Sequence, residues 1–72
     1  MSTTELKKYQ EGLIIGLKEM DIQTDSAVAI ILMLKSENQI LTMLDWIYKH
    51  HKENPSEEFV IRIAKAIVEE VE

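Results

Sequence analysis

Eight consecutive apolar residues, Ala27-Val28-Ala29-Ile30-Ile31-Leu32-Met33-Leu34, constrain this chain more than anything else in it. A helix that is apolar all round must be covered on every side. Eight residues also fall far short of the ~20 that cross a bilayer, so the run reads as a core element and no membrane span is expected. The chain has 72 residues, which is room for one helical domain, residues 1–72. A domain this short buries only about 60% of the surface its unfolded chain exposes. With no cysteine present, no disulfide can make up the difference, and the disulfide-framed secreted class is disfavoured. The start of the chain, Met1-Ser2-Thr3-Thr4-Glu5-Leu6-Lys7-Lys8, lacks the basic, apolar and small-residue order of a signal peptide; the expected location is cytoplasmic.

The pattern around the run predicts an all-α fold, a compact bundle of four short helices spanning about 3–20, 25–35, 37–52 and 55–70. Ser2 with Glu5 fits a capping box, and Leu6, Tyr9, Leu13, Leu17 and Met20 then recur at steps of three and four, the spacing of one helical face. The polar break Asp21–Ser26 offers Thr24 as the cap of the second helix, with Asp25 near its positive end. Ser36 with Gln39 forms a second capping box, followed by Ile40, Met43, Leu44 and Ile47 on one face. Asn54-Pro55-Ser56-Glu57 predicts a fourth start, with Asn54 as cap and Pro55 in the first turn, where its missing N–H costs nothing. Val60, Ile63, Ala64, Ile67 and Val71 make the core face that follows. Asp45–Lys49 and Glu58–Arg62 are i,i+4 pairs in the favourable order. The branched runs Ala27–Leu34 and Phe59–Ile63 also suit strands, but both follow cap signals and no hairpin turn joins them. Glu69, Glu70 and Glu72 set negative charge against the negative end of the last helix, so its final turn is expected to fray.

Four such helices carry more apolar surface than one small core absorbs. Ile31 and Met33 lie within the apolar run; Leu41, Trp46 and Tyr48 flank the face of the third helix; Phe59, Ile61 and Val68 lie off the face of the fourth. Contiguous exposed apolar surface marks interaction sites, and two-fold dimers are the commonest oligomer. These eight residues are therefore the expected interface of a homodimer, against the alternative of a central second helix wrapped by its three neighbours. Gly12 and Gly16 stand four apart on the first helix, the spacing that lets another helix backbone approach.

The function this predicts is a small acidic protein that self-associates and binds other proteins. A net charge of −5 disfavours nucleic acid and permits a basic protein partner. The alternative is a dimeric helix-turn-helix-like DNA-binding regulator, with Asn38, Gln39 and Thr42 as base-reading types on the third helix. Against it stand Met33, where a turn glycine is usual, Glu37 and Asp45, which would face phosphate, and a third helix without arginine. His50 and His51 are adjacent, hence about 100° apart on a helix, and with Glu53, Glu57 and Glu58 they show no recognised metal-ligand spacing; cations at a helix C-terminus are the simpler account. No metal and no cofactor are expected. Neither a nucleophile motif, a phosphate-binding glycine loop nor a His-Glu-x-x-His motif occurs, so no catalytic residue is assigned and the chain is not expected to be an enzyme.

Overall fold

The structure, a computed structural model, describes residues 3–72, with side-chain surroundings from Glu5 onward. Its elements are α1 (Thr3–Glu19), α2 (Thr24–Met33), α3 (Glu37–His50), a 3₁₀ turn (His51–Glu53) and α4 (Glu57–Glu70). The all-helical class and the four-helix bundle are as the sequence predicts. α1 packs on α2 and α3, and α4 packs on the same two helices, so consecutive α2 and α3 sit across a diagonal and make little contact.

Each corner has a local cause. After α1 the chain turns through Asp21, which takes a left-handed conformation (φ 61°). The Asp21 N–H donates to the Lys18 carbonyl at 3.0 Å and the Ile22 N–H to the Leu17 carbonyl at 3.1 Å, the paired closure that satisfies the last carbonyls of a helix. Ile22 and Leu17, the two apolar residues of that motif, are both buried. Ile22 thereby anchors the break and leaves Gln23 extended (φ −62°, ψ 148°) as the cap of α2, with no side-chain bond. Thr24, the expected cap, is instead the first residue of the helix. The Ser2 half of the first capping box lies outside the described residues.

α2 ends at Met33 rather than near Lys35, because Leu34 leaves helical geometry (ψ 117°) to enter the core. The Lys35 N–H then donates to Gln39 Oε1 at 2.7 Å. Ser36 caps α3 as its spacing predicts, its hydroxyl accepting from the Gln39 N–H at 3.1 Å. α3 tightens into the 3₁₀ turn after His50, and Asn54 closes it in a left-handed conformation (φ 48°), donating to the His51 carbonyl. Asn54 is thus spent on the preceding turn and does not cap α4, whose cap is Ser56, accepting from the Phe59 N–H at 3.2 Å. Helix four accordingly begins at Glu57, two residues after the proline. Of the two expected ion pairs, Asp45–Lys49 closes at 3.0 Å between exposed groups, whereas Glu58–Arg62 does not close.

The core joins all four helices. Leu13 and Leu17 of α1, Ile30 of α2, Ile40 and Met43 of α3 and Val60 of α4 are its fully buried large side chains. Gly16 has a packing reason: a Cβ there would lie 3.2 Å from Ile47 Cγ2 on α3, whereas one on Gly12 would meet nothing within 4 Å. At the far end, the Gln39 Nε2 donates to the Val71 carbonyl at 2.7 Å and the Ser36 hydroxyl to the Glu72 carbonyl at 2.9 Å. The end of α4, expected to fray, is therefore held by the start of α3.

Candidate functional site

The eight residues expected at an interface fall into three situations. Ile31, at 9% exposure, belongs to the core of the single chain. Met33, Trp46, Ile61 and Val68 are half-buried, packed against that core. Leu41, Tyr48 and Phe59 are exposed, Tyr48 most of all at 79%. Three exposed apolar residues were not on that list: Ile15, Val28 and Leu32. Val28 and Leu32 lie opposite Ala27, Ile30, Ile31 and Leu34 around α2, so helical phase within the run was the available signal. The run is neither wrapped on every side nor wholly free: one flank enters the core and the other faces outward.

Two aromatic and apolar groupings result. On the side where α3 meets α4, Trp46 lies 6.0 Å from Phe59 and stacks on His50 with ring centroids 4.9 Å apart. On the side where α3 meets α1, a cleft of about 210 Å³ is lined by Gly16, Glu19, Leu44, Ile47, Tyr48 and His51. Gly16 contributes only backbone to that lining. Small-molecule sites usually start near 300 Å³, so the cleft suits one inserted side chain better than a metabolite.

The polar residues near these surfaces are engaged locally. The His51 Nδ1 lies 3.2 Å and 3.1 Å from the carbonyls of Ile47 and Tyr48, so this nitrogen carries the proton and closes the end of α3. The His50 Nδ1 is 2.7 Å from Glu53 Oε2. Among the described residues no group of three His, Cys, Asp or Glu side chains is placed to hold a metal ion. Of the three base-reading types on α3, Gln39 is buried with its amide bonded to backbone, and the Thr42 hydroxyl donates to the Asn38 carbonyl at 2.7 Å. None of the helices of the described residues is long and apolar enough to cross a membrane. No family model, curated protein or solved structure matches the chain.

Proposed function

We propose that this chain is a small self-associating helical module, with a binding rather than a catalytic role, acting in the cytoplasm. The observation that carries the reading is the outward display of large apolar side chains by so small a domain: Ile15, Val28, Leu32, Leu41, Tyr48 and Phe59. Isolated exposed apolar residues are ordinary, but these occur on all four helices of a chain with no disulfide to stabilise it. A homodimer covers such surface and adds the burial that a short chain lacks. The net charge of −5 leaves room for a basic protein as a further partner and opposes contact with phosphate. The test is sedimentation equilibrium at about 10 μM, since interfaces of ordinary size range from micromolar to picomolar affinity. A species of twice 8.3 kDa is expected, and a clean monomer overturns the reading. Salt-sensitive retardation of duplex DNA by the same sample would instead establish the DNA-binding alternative.

A further inference from the structure

The exposed and half-buried residues on the outer flank of α3 repeat at steps of four, three and four: Glu37, Leu41, Leu44, Tyr48, and then Lys52 just beyond the helix. Steps of this kind keep residues in one stripe along a helix. The stripe begins acidic and is apolar in the middle, and the 3₁₀ turn that follows it carries the exposed cation Lys52. It also borders the cleft, because Leu44 and Tyr48 are two of the lining residues. One face of the molecule therefore offers both a projecting apolar row and a hollow to receive it, with Ile15 of α1 exposed at 58% as a further apolar residue of the chain's surface. A two-fold interface requires such self-complementarity, since each residue i meeting j implies that j meets i. The outward flank of α2 also runs from acidic Asp25 through Val28 and Leu32 to basic Lys35, but its residues do not line the α1/α3 cleft.

Resting on the self-association proposed above, we infer that the occupant of the α1/α3 cleft is a second copy of this chain. The two α3 helices pair antiparallel about an axis near Leu44 and Asp45. Leu41 of the second copy then enters the cleft beside Tyr48, and Glu37 of each copy faces Lys52 of the other. Parallel pairing would set Glu37 against Glu37 and Lys52 against Lys52, and would align the helix dipoles unfavourably. Asp45 comes near its own symmetry mate, and the Lys49 ammonium at 3.0 Å offsets that charge within each copy. Tyrosine suits the contact with Leu41, being among the residues that dominate interface energetics. An ordinary interface takes about 800 Å² from each partner, against a total of 5002 Å² here, so the face of α1 beside α3 takes part as well.

The experiment is sedimentation equilibrium of the full chain and of substituted chains, with circular dichroism as a check on folding. Tyr48 is so exposed that Tyr48→Glu leaves the fold intact, and it should convert the dimer to monomer. Glu37→Lys or Lys52→Glu alone should weaken the dimer roughly tenfold, by turning two exposed attractions into repulsions. The double variant should restore affinity to within about threefold of the parent. A parent chain that is monomeric overturns this inference together with the self-association it rests on. A dimer that survives Tyr48→Glu but dissociates with Leu32→Glu or Phe59→Glu overturns the α3 pairing and leaves self-association standing. A dimer lost with Tyr48→Glu yet indifferent to the charge exchange overturns the antiparallel register.

Discussion

Gln39 does three jobs with one side chain. It accepts from the Lys35 N–H at 2.7 Å, donates to the Val71 carbonyl at 2.7 Å and approaches the Val68 carbonyl at 3.4 Å. Those groups belong to the turn before α3 and the end of α4, which would otherwise leave backbone donors and acceptors unpaired in a partly buried place. Replacing Gln39 by Leu keeps the volume and removes every bond, so the stranded groups set the cost at about 1–3 kcal/mol. Urea unfolding reads this directly; a loss under about 0.5 kcal/mol means that water or a shifted backbone serves these groups equally well. The sequence displayed Gln39 as a capping-box partner of Ser36, and half of that box is seen. The Ser36 hydroxyl accepts from the Gln39 N–H, while the Gln39 side chain takes the Lys35 N–H where a capping box would take that of Ser36. Its long-range bond to Val71 was not legible, because nothing in the pattern near residue 39 says which helix end lies above it. Gly12 and Gly16 teach the same lesson: identical in the pattern, they differ because only Gly16 lies against Ile47.

At the scale of elements, periodicity placed α1, α3 and α4, whose buried residues recur at steps of three and four, whereas the uniformly apolar α2 was placed by the cap formers before it and the lack of a hairpin turn. Their ends were less legible wherever cap formers compete. In Asn54-Pro55-Ser56 two residues can cap; Asn54 tolerates a left-handed backbone better than most residues, closes the 3₁₀ turn, and Ser56 takes the helix. Asp21 occupies the other left-handed position, at φ 61°. It places a β-carbon where only glycine is unstrained and a carboxylate beside the negative end of α1. Asp21→Gly should therefore raise stability by about 1 kcal/mol, since the relief of local strain exceeds the added freedom of the unfolded chain. An increased urea midpoint with an unchanged slope is the expected record. A decreased midpoint would show that the Asp21 carboxylate has a stabilising role that outweighs its backbone strain.

For the molecule as a whole, the eight-residue apolar run serves as core on one flank and surface on the other. That division separates two substitutions which composition treats as equal. Ile31→Glu buries an unpaired carboxylate in the core of the single chain, a change in the class that costs several kcal/mol. A domain of 72 residues holds only roughly 4–10 kcal/mol in total, so this variant should be largely unfolded at ambient temperature. Leu32, exposed at 74%, should accept glutamate with its helical circular dichroism unchanged. If burial between copies supplements the core, unfolding must also depend on concentration, because dissociation accompanies it. Raising the parent protein a hundredfold then adds about 2.7 kcal/mol to each dimer, lifting Tm by on the order of 5 °C for a chain of this size. Tyr48→Glu should flatten that dependence while keeping the helical signal, and the melting of Leu32→Glu should remain concentration-dependent like that of the parent. A parent Tm independent of concentration would mean that the single chain carries all of the stability, with its exposed leucines, isoleucine and aromatics left in water.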